Sequence, residues 1–218
     1  IDGIYIRCKV TLIVVMSQIM AVFFLDMSLI ICNFDSQKHV FRAIMEDFVH
    51  LHVHTHYSIL DGQSKVPHLV DKAIADGMRG MALTDHGVMY GVKELADYCA
   101  GINKKRAKEG LEPFKPIFGC EMYVARHRKE DKVKENGDNS GYHLIVLAKN
   151  YHGYKNLIKL VSRAWTDGYY YRPRTDRADL EKYHEDLIVC SACIAGEVPA
   201  KILKGDIDGA REACQWYH

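Results

Sequence analysis

The sequence has almost no net charge: 29 Lys and Arg stand against 28 Asp and Glu, giving +1 at pH 7 over 218 residues. No strong global field therefore exists to recruit nucleic acid. It has no internal repeat and no low-complexity tract, so a repeat architecture is excluded. Its seven cysteines are odd in number and irregularly spaced, which argues against a secreted disulfide scaffold and for reduced, intracellular thiols. A composition of 48% hydrophobic and 26% charged residues excludes a disordered or collagen-like chain, and the length suits one to two domains. Histidine is what the sequence has in excess. There are 12, and four of them fall between residues 50 and 56.

The first 44 residues differ in character from the rest. Val10 to Cys32 is nearly all apolar and carries no turn signal. One reading is a membrane anchor, since about 20 apolar residues span a bilayer. Against it, Asp26 inside the run costs roughly 2.5–3.5 kcal/mol on insertion, and no small-residue cleavage site follows. A second reading is a buried hairpin. The third, which the sequence favours, is a mis-assigned start: residues 1–44 are a leader foreign to the fold and Met45 is the true beginning.

From Met45 the pattern alternates. Asp47 to Thr55 reads as a strand. Ser64 reads as an N-cap, and Val66, Leu69, Val70, Ala73 and Ile74 as the apolar stripe of a helix with Pro67 in its first turn, ending at Gly77. Gly80 to Thr84 is a strand, and Val92, Leu95, Ala96, Cys99 and Ile102 mark another helix. Pro116 to Val124, Tyr142 to Ala148 and Leu187 to Cys193 read as strands, Tyr154 to Trp165 as a helix, and Arg126 to Gly141 as a charged loop. Strands alternating with helices predict a parallel α/β arrangement, because parallel neighbours need crossovers.

His50, His52, His54 and His56 alternate along the first strand, so all four are expected on one face. Side chains two apart lie about 6.6 Å apart along a strand, which lets imidazoles share one metal or serve adjacent ones. Asp61, Asp85 and His86 in Thr84-Asp85-His86-Gly87, Glu121 and His143 all fall at or near strands, where α/β enzymes place their sites. Imidazole with carboxylate suits Zn, Mn or Fe, and closely spaced ions suit phosphate-ester hydrolysis.

The run His52-Val53-His54-Thr55-His56-Tyr57-Ser58-Ile59-Leu60-Asp61-Gly62, with Leu83 to Gly87, Lys115 to Glu121 and Ser191 to Val198, resembles the PHP (polymerase and histidinol phosphatase) domain family, in the form found at the N-terminus of bacterial DNA polymerase III alpha subunits. The resemblance runs from Met45 to the end. It implies a distorted, TIM-barrel-like (β/α)7 barrel with up to three divalent ions. His52, His54 and Glu121 would serve the first, Glu121, His143 and Cys193 the second, Asp61 and His86 the third. Asp85 would orient His86 or its turn, and His50 and His56 fall outside the ligand positions.

Further implications concern a longer parent protein: DNA-directed DNA polymerase activity with Mg at a site outside this sequence, possession of 3′–5′ exonuclease chemistry in some relatives, primer-template DNA as substrate, and partners such as a sliding clamp and a proofreading subunit. A cytoplasmic protein without membrane attachment is expected. The family closes its centre with an Asp-x-His pair, and none follows Cys193, so the barrel is expected to be incomplete and this stretch alone inactive. A stand-alone phosphoesterase and a metal-free structural module are the rival readings. Cys190 and Cys193 form one Cys-x-x-Cys with no second pair, a weak redox or zinc signal. Tyr169 to Arg174 interleaves tyrosines with Arg172 and Arg174, which suits either contact with DNA or phosphate or an ordered loop packed on the barrel.

Overall fold

A computed structural model of the protein describes residues 48–132 and 140–218. The chain divides into two units, 1–44 and 45–218, and every described residue lies in the second. The apolar segment and its three readings fall outside the described residues. In chain order the elements are α1 (Val66–Ala75), β1 (Gly80–Leu83), α2 (Val92–Lys108), β2 (Lys115–Val124), β3 (Tyr142–Ala148), α3 (Tyr151–Thr166), β4 (Tyr169–Tyr170), β5 (Arg172–Thr175), α4 (Arg177–Tyr183), β6 (Leu187–Cys190), α5 (Glu197–Leu203) and α6 (Ile207–Tyr217). Among the described residues no helix is long and apolar enough to cross a membrane.

The architecture is mixed α/β, and the sheet is not the parallel one that the sequence suggested. It runs β4-β5-β2-β3-β6, with β1 beside β2. β1 and β5 pair with β2 in parallel, whereas β3 pairs antiparallel with both β2 and β6. The reason lies in the connection from β2 to β3, which passes through the charged stretch after Ala125 that shows no helical periodicity. The described part of that connection holds no crossover helix, and a return without one runs antiparallel.

The expected strand over 47–55 does not form a ladder among its described residues. His50 makes an isolated bridge to Met81, and the amides of Ala82 and Thr84 donate to the carbonyls of His50 and Val53. The Val53 amide instead goes to the Thr84 hydroxyl at 2.9 Å, which interrupts the main-chain pattern. Ser64 is not the cap of α1: its carbonyl accepts from the His56 amide, and Lys65 occupies the cap position with no side-chain bond. Three later helices do carry side-chain caps, with Asn150, Asp176 and Asp206 accepting from the amides three residues on. β6 stops at Cys190, so Cys193 lies in the turn beyond it. The short elements β4, β5, α4, α5 and α6 had no clear periodic signature.

Two apolar clusters hold the helices to the sheet. Val66, Val70 and Ala73 of α1 meet Leu95 and Cys99 of α2 against Met81 and Leu83 of β1. Leu157, Leu160 and Ala164 of α3 meet Cys120, Met122 and Val124 of β2 and Leu144 and Val146 of β3. Burying each large aliphatic side chain contributes about 1.5–3 kcal/mol. Because Leu160 is fully buried, Leu160→Ala is expected to cost about 2–5 kcal/mol, read as a lower midpoint in urea unfolding. An unchanged midpoint would mean that α3 does not seat on the sheet as described.

Candidate metal centre

The centre arises from the two-residue period of β2. Cys120, Met122 and Val124 point into the apolar cluster beneath α3, so Glu121 and Tyr123 must point to the opposite face. Antiparallel pairing places His143 of β3 directly across from Tyr123, on that same face. His86 follows β1 and bridges to Glu121, fixed by main-chain bonds from the Gly87 amide to the Glu121 carbonyl and from the Glu121 amide to the Asp85 carbonyl. His52 and His54 arrive from the segment alongside β1.

Glu121 is the hub, and only 1% of it is exposed. Its Oε2 lies 2.8 Å from Nε2 of His52 and 2.8 Å from Nε2 of His54, and those two nitrogens are 2.9 Å apart. Its Oε1 lies 2.5 Å from Nδ1 of His143, close but off the hydrogen-bonding direction, so that Oε1 has no aligned donor. His86 Nδ1 stands 3.4 Å from Oε2 and is likewise buried without a donor or acceptor. On its other side, His86 Nε2 meets Asp61 Oδ2 at 2.8 Å, and the His54 and His86 rings stack with centroids 4.1 Å apart.

Ligand-capable atoms gather in three overlapping groups among the described residues: His52, His54 and Glu121; His54, Asp61 and His86; and His86, Glu121 and His143. The structure thus adds His54 to the expected pair of Asp61 and His86, and in the expected set of Glu121, His143 and Cys193 it gathers His86 with Glu121 and His143 in place of Cys193. Cys193 reaches the centre through His143, its Sγ 3.6 Å from the same Nδ1 that faces Glu121. Asp85 meets the His86 turn through an intermediary, the loop that carries Thr55 and Ser58. It is fully buried and accepts from the Thr55 amide at 2.7 Å, the Thr55 hydroxyl at 2.8 Å and the Ser58 hydroxyl at 2.7 Å. Ser58 Oγ in turn lies 3.2 Å from His54 Nδ1 and accepts from the His86 amide at 3.2 Å, so through one hydroxyl Asp85 supports the His54 ring and the His86 backbone.

Thr55, Ser58 and Tyr123 were missed in the sequence. Tyr123 was legible, since it lies two residues after Glu121 on a strand and so shares its face. Its ring stacks near His86 at 6.1 Å and stands edge-on to His143 at 5.1 Å. Only His52 and His54 of the four alternating histidines join the groups at the centre: His50 packs edge-on against Phe48 and the His56 ring lies tilted on Tyr57, the backbone bending at Leu51 and turning at His56. Arg174 also departs from expectation. It is 0% exposed, and its guanidinium donates to the carbonyls of Gly168, Lys129 and Asp131, so it pins the loop after β2 and reaches no external phosphate. Arg172 is exposed, with its guanidinium 5.7 Å from the Tyr123 ring centre.

The donor set fits divalent ions. His143 Nδ1 carries at most one proton yet faces both a carboxylate and a thiol, and two imidazole nitrogens crowd one carboxylate oxygen. Convergent lone pairs of this kind leave buried polar atoms unsatisfied at about 1–3 kcal/mol each, whereas a cation with N and O donors at about 2.0–2.2 Å satisfies them together. Burial alone would push the Glu121 carboxyl up, but the contacts from His143, His52 and His54 outweigh it and hold it well below the usual carboxylate range. The Cys193 thiol and the Glu121 carboxylate raise His143 to about 9, and His143 lowers Cys193 in return.

These shifts set the stability of the chelator-treated protein. A raised His143 stabilises fully below its ordinary 6.5 and is lost as pH rises through about 9; a depressed Glu121 stabilises above its ordinary 4.5 and is lost as pH falls. The melting temperature without metal is therefore expected to decline from pH 6.5 to 9 and again below pH 4.5. Cys193→Ala should flatten the alkaline decline, and an identical decline in that variant would contradict the pairing.

The PHP domain family matches residues 50–218. Among curated relatives, DNA polymerase III subunit alpha of Borreliella burgdorferi is 44% identical over 170 residues, covering 78% of this chain and 14% of that protein. The Treponema pallidum subunit of the same name is 43% identical over the same shares, and that of Deinococcus radiodurans is 37% identical, covering 78% of this chain and 12% of that protein. The chain thus spans about one seventh of the length of these relatives. With the family matched over residues 50–218, a span that includes every residue of the centre from His52 to Cys193, the chain belongs to the PHP domain family.

Proposed function

We propose that residues 45–218 form the PHP part of a bacterial replicative DNA polymerase alpha subunit, built as an incomplete distorted (β/α)7 barrel, and that its centre hydrolyses phosphoesters. The observation that carries this reading is the buried Glu121 carboxylate, with three imidazoles from two separate segments within 2.8 Å of its two oxygens and that of His86, from a third, at 3.4 Å. Identity of 44% with a DNA polymerase III alpha subunit supports the choice of parent protein.

In this reading His52, His54 and Glu121 hold one ion, Glu121, His143 and Cys193 a second with His86 beside them, and Asp61 and His86 a third shared with His54. Zn, Mn and Fe suit such donors. Bound divalent ions supply Lewis acidity toward phosphoryl oxygens and acidify a water nucleophile. The chain's own residues do the rest. Glu121 brings the sites together because its two oxygens face different histidines. Asp61, 54% exposed, sits at the solvent side, where a substrate enters. Asp85, Thr55 and Ser58 hold His54 and His86 in place from beneath, as outer partners of ligands do. Polymerase chemistry with Mg, nucleotidyl transfer to primer-template DNA, and contacts with a sliding clamp or a proofreading subunit in the cytoplasm belong to the longer protein.

Residues 194–218 hold no Asp-x-His pair, so 3′ nucleotide release is expected from a polypeptide of the relatives' length and not from residues 45–218 alone. The test is metal content by mass spectrometry together with 3′ release from primed DNA in Mn²⁺. Glu121→Gln in the full-length protein is expected to lose bound metal by more than the ~10–100-fold that follows from disturbing an outer partner, and release with it. His50→Ala should change neither. Full metal retention in Glu121→Gln would overturn the ligand assignment, and hydrolysis of small phosphomonoesters with no action on DNA would favour a metabolic phosphoesterase.

A further inference from the structure

The residues after His86 lead from the metal centre to a feature that the centre does not use. Val88, Met89 and Tyr90 line one side of an apolar cleft of about 250 Å³, and Ile158, Val161 and Trp165 of α3 line the other. Two of these are aromatic and open to solvent, Tyr90 at 66% and Trp165 at 42% exposure. Trp165 is held rigidly for an exposed side chain: its indole N–H donates to the Gly87 carbonyl at 2.8 Å, and its ring stacks on Tyr169 at 5.5 Å and 21°.

Gly87 is the junction between cleft and centre. A side chain there would lie 2.6 Å from Pro173 and 3.3 Å from the Tyr123 ring, and its backbone is left-handed at φ +63°, so only glycine permits this packing. Around that one residue meet Trp165, the His86 ligand, Tyr123 and the start of β5. Arg172 sits there with its guanidinium over the Tyr123 ring. Tyr171, which joins β4 to β5, is also left-handed at φ +58°, a conformation uncommon outside glycine and often tied to function.

We propose that this cleft takes a nucleobase of a single-stranded nucleic acid, with an adjacent phosphate on Arg172. The inference rests on the phosphoester reading above and specifies its substrate class. Each side of the cleft offers one exposed aromatic among aliphatic side chains, Tyr90 and Trp165, and stacking on aromatics is how proteins hold unpaired bases without reading their sequence. A cation one neighbour away supplies the phosphate contact that an apolar cleft lacks. A small phosphorylated metabolite would engage the centre and leave the cleft unfilled. A chain with a net charge of only +1 must draw affinity for nucleic acid from stacking more than from its field, so the salt dependence of binding is expected to be shallow.

The 218 residues hold two tryptophans, so Trp216→Phe leaves Trp165 as the sole reporter within them. Oligothymidylate is expected to quench its fluorescence, while an abasic strand of equal length does not. Tyr90→Leu, at an exposed position that the fold does not need, should weaken oligothymidylate by about fivefold or more and leave the abasic strand unchanged; Arg172→Gln should weaken both. Equal affinity for the two strands, or thymidylate binding without quenching, would overturn the proposal. Metal content measured on the same samples separates the two readings: full metal with no quenching removes the cleft and spares the centre, whereas quenching in a protein that takes up no metal does the reverse.

Discussion

A carboxylate buried to 1% exposure among imidazoles is the constraint from which the rest of the arrangement follows. Ionised Glu121 cannot be taken out of water without compensation, and its surroundings supply it from several segments at once: His52 and His54 before α1, His86 after β1, His143 on β3. Each segment reaches the carboxylate only because the sheet brings it there. The parallel β1–β2 pairing delivers His86, and the antiparallel β2–β3 pairing delivers His143. The apolar clusters beneath the sheet hold the strands at the spacing that the polar face requires.

Support for the polar face is graded. Glu121 touches every imidazole directly. Asp85 touches none of them, yet its three short bonds fix Thr55 and Ser58, and Ser58 then meets both His54 and the His86 backbone. Further out, buried Arg174 ties the carbonyls of Lys129 and Asp131 to the β4–β5 hairpin, while Lys129 pairs with Asp179 at 2.6 Å. In the loop after β2 the charge of Lys129 is thus turned inward, while those of Arg128, Glu130, Asp131 and Lys132 stay exposed. A run that reads in sequence as a solvated loop contributes buried ion pairs to the fold.

The residues that gather at the centre were legible because chemistry-bearing side chains fell in a specific run from His52 to Gly62 and in short motifs at strand ends. Their partition was less legible. Sequence order says nothing of which oxygen of Glu121 faces which ring, so the positions of His54 and His86 between groups emerged only in space. Period two identified β2 and β3 but not their relative direction, since strand polarity depends on the connection and not on alternation. His50 and His56 misled for the same reason that His52 and His54 did not: alternation predicts a common face only while the backbone stays extended, and here it bends at Leu51 and turns at His56. Arg174 misled because an Arg beside tyrosines looks the same whether its donors meet phosphate or carbonyl oxygens.

β2 serves the core with one set of alternate residues and the centre with the other, and this restricts how the protein can change. Replacing a residue alters one face and leaves its neighbour undisturbed. Adding or deleting a single residue between Gly119 and Val124 reverses every side chain beyond it, sending a carboxylate under α3 and methionine or cysteine toward the histidines. The strand is therefore open to point substitution and closed to length variation, and sequence drift in such a domain must be absorbed in the connections on either side of it.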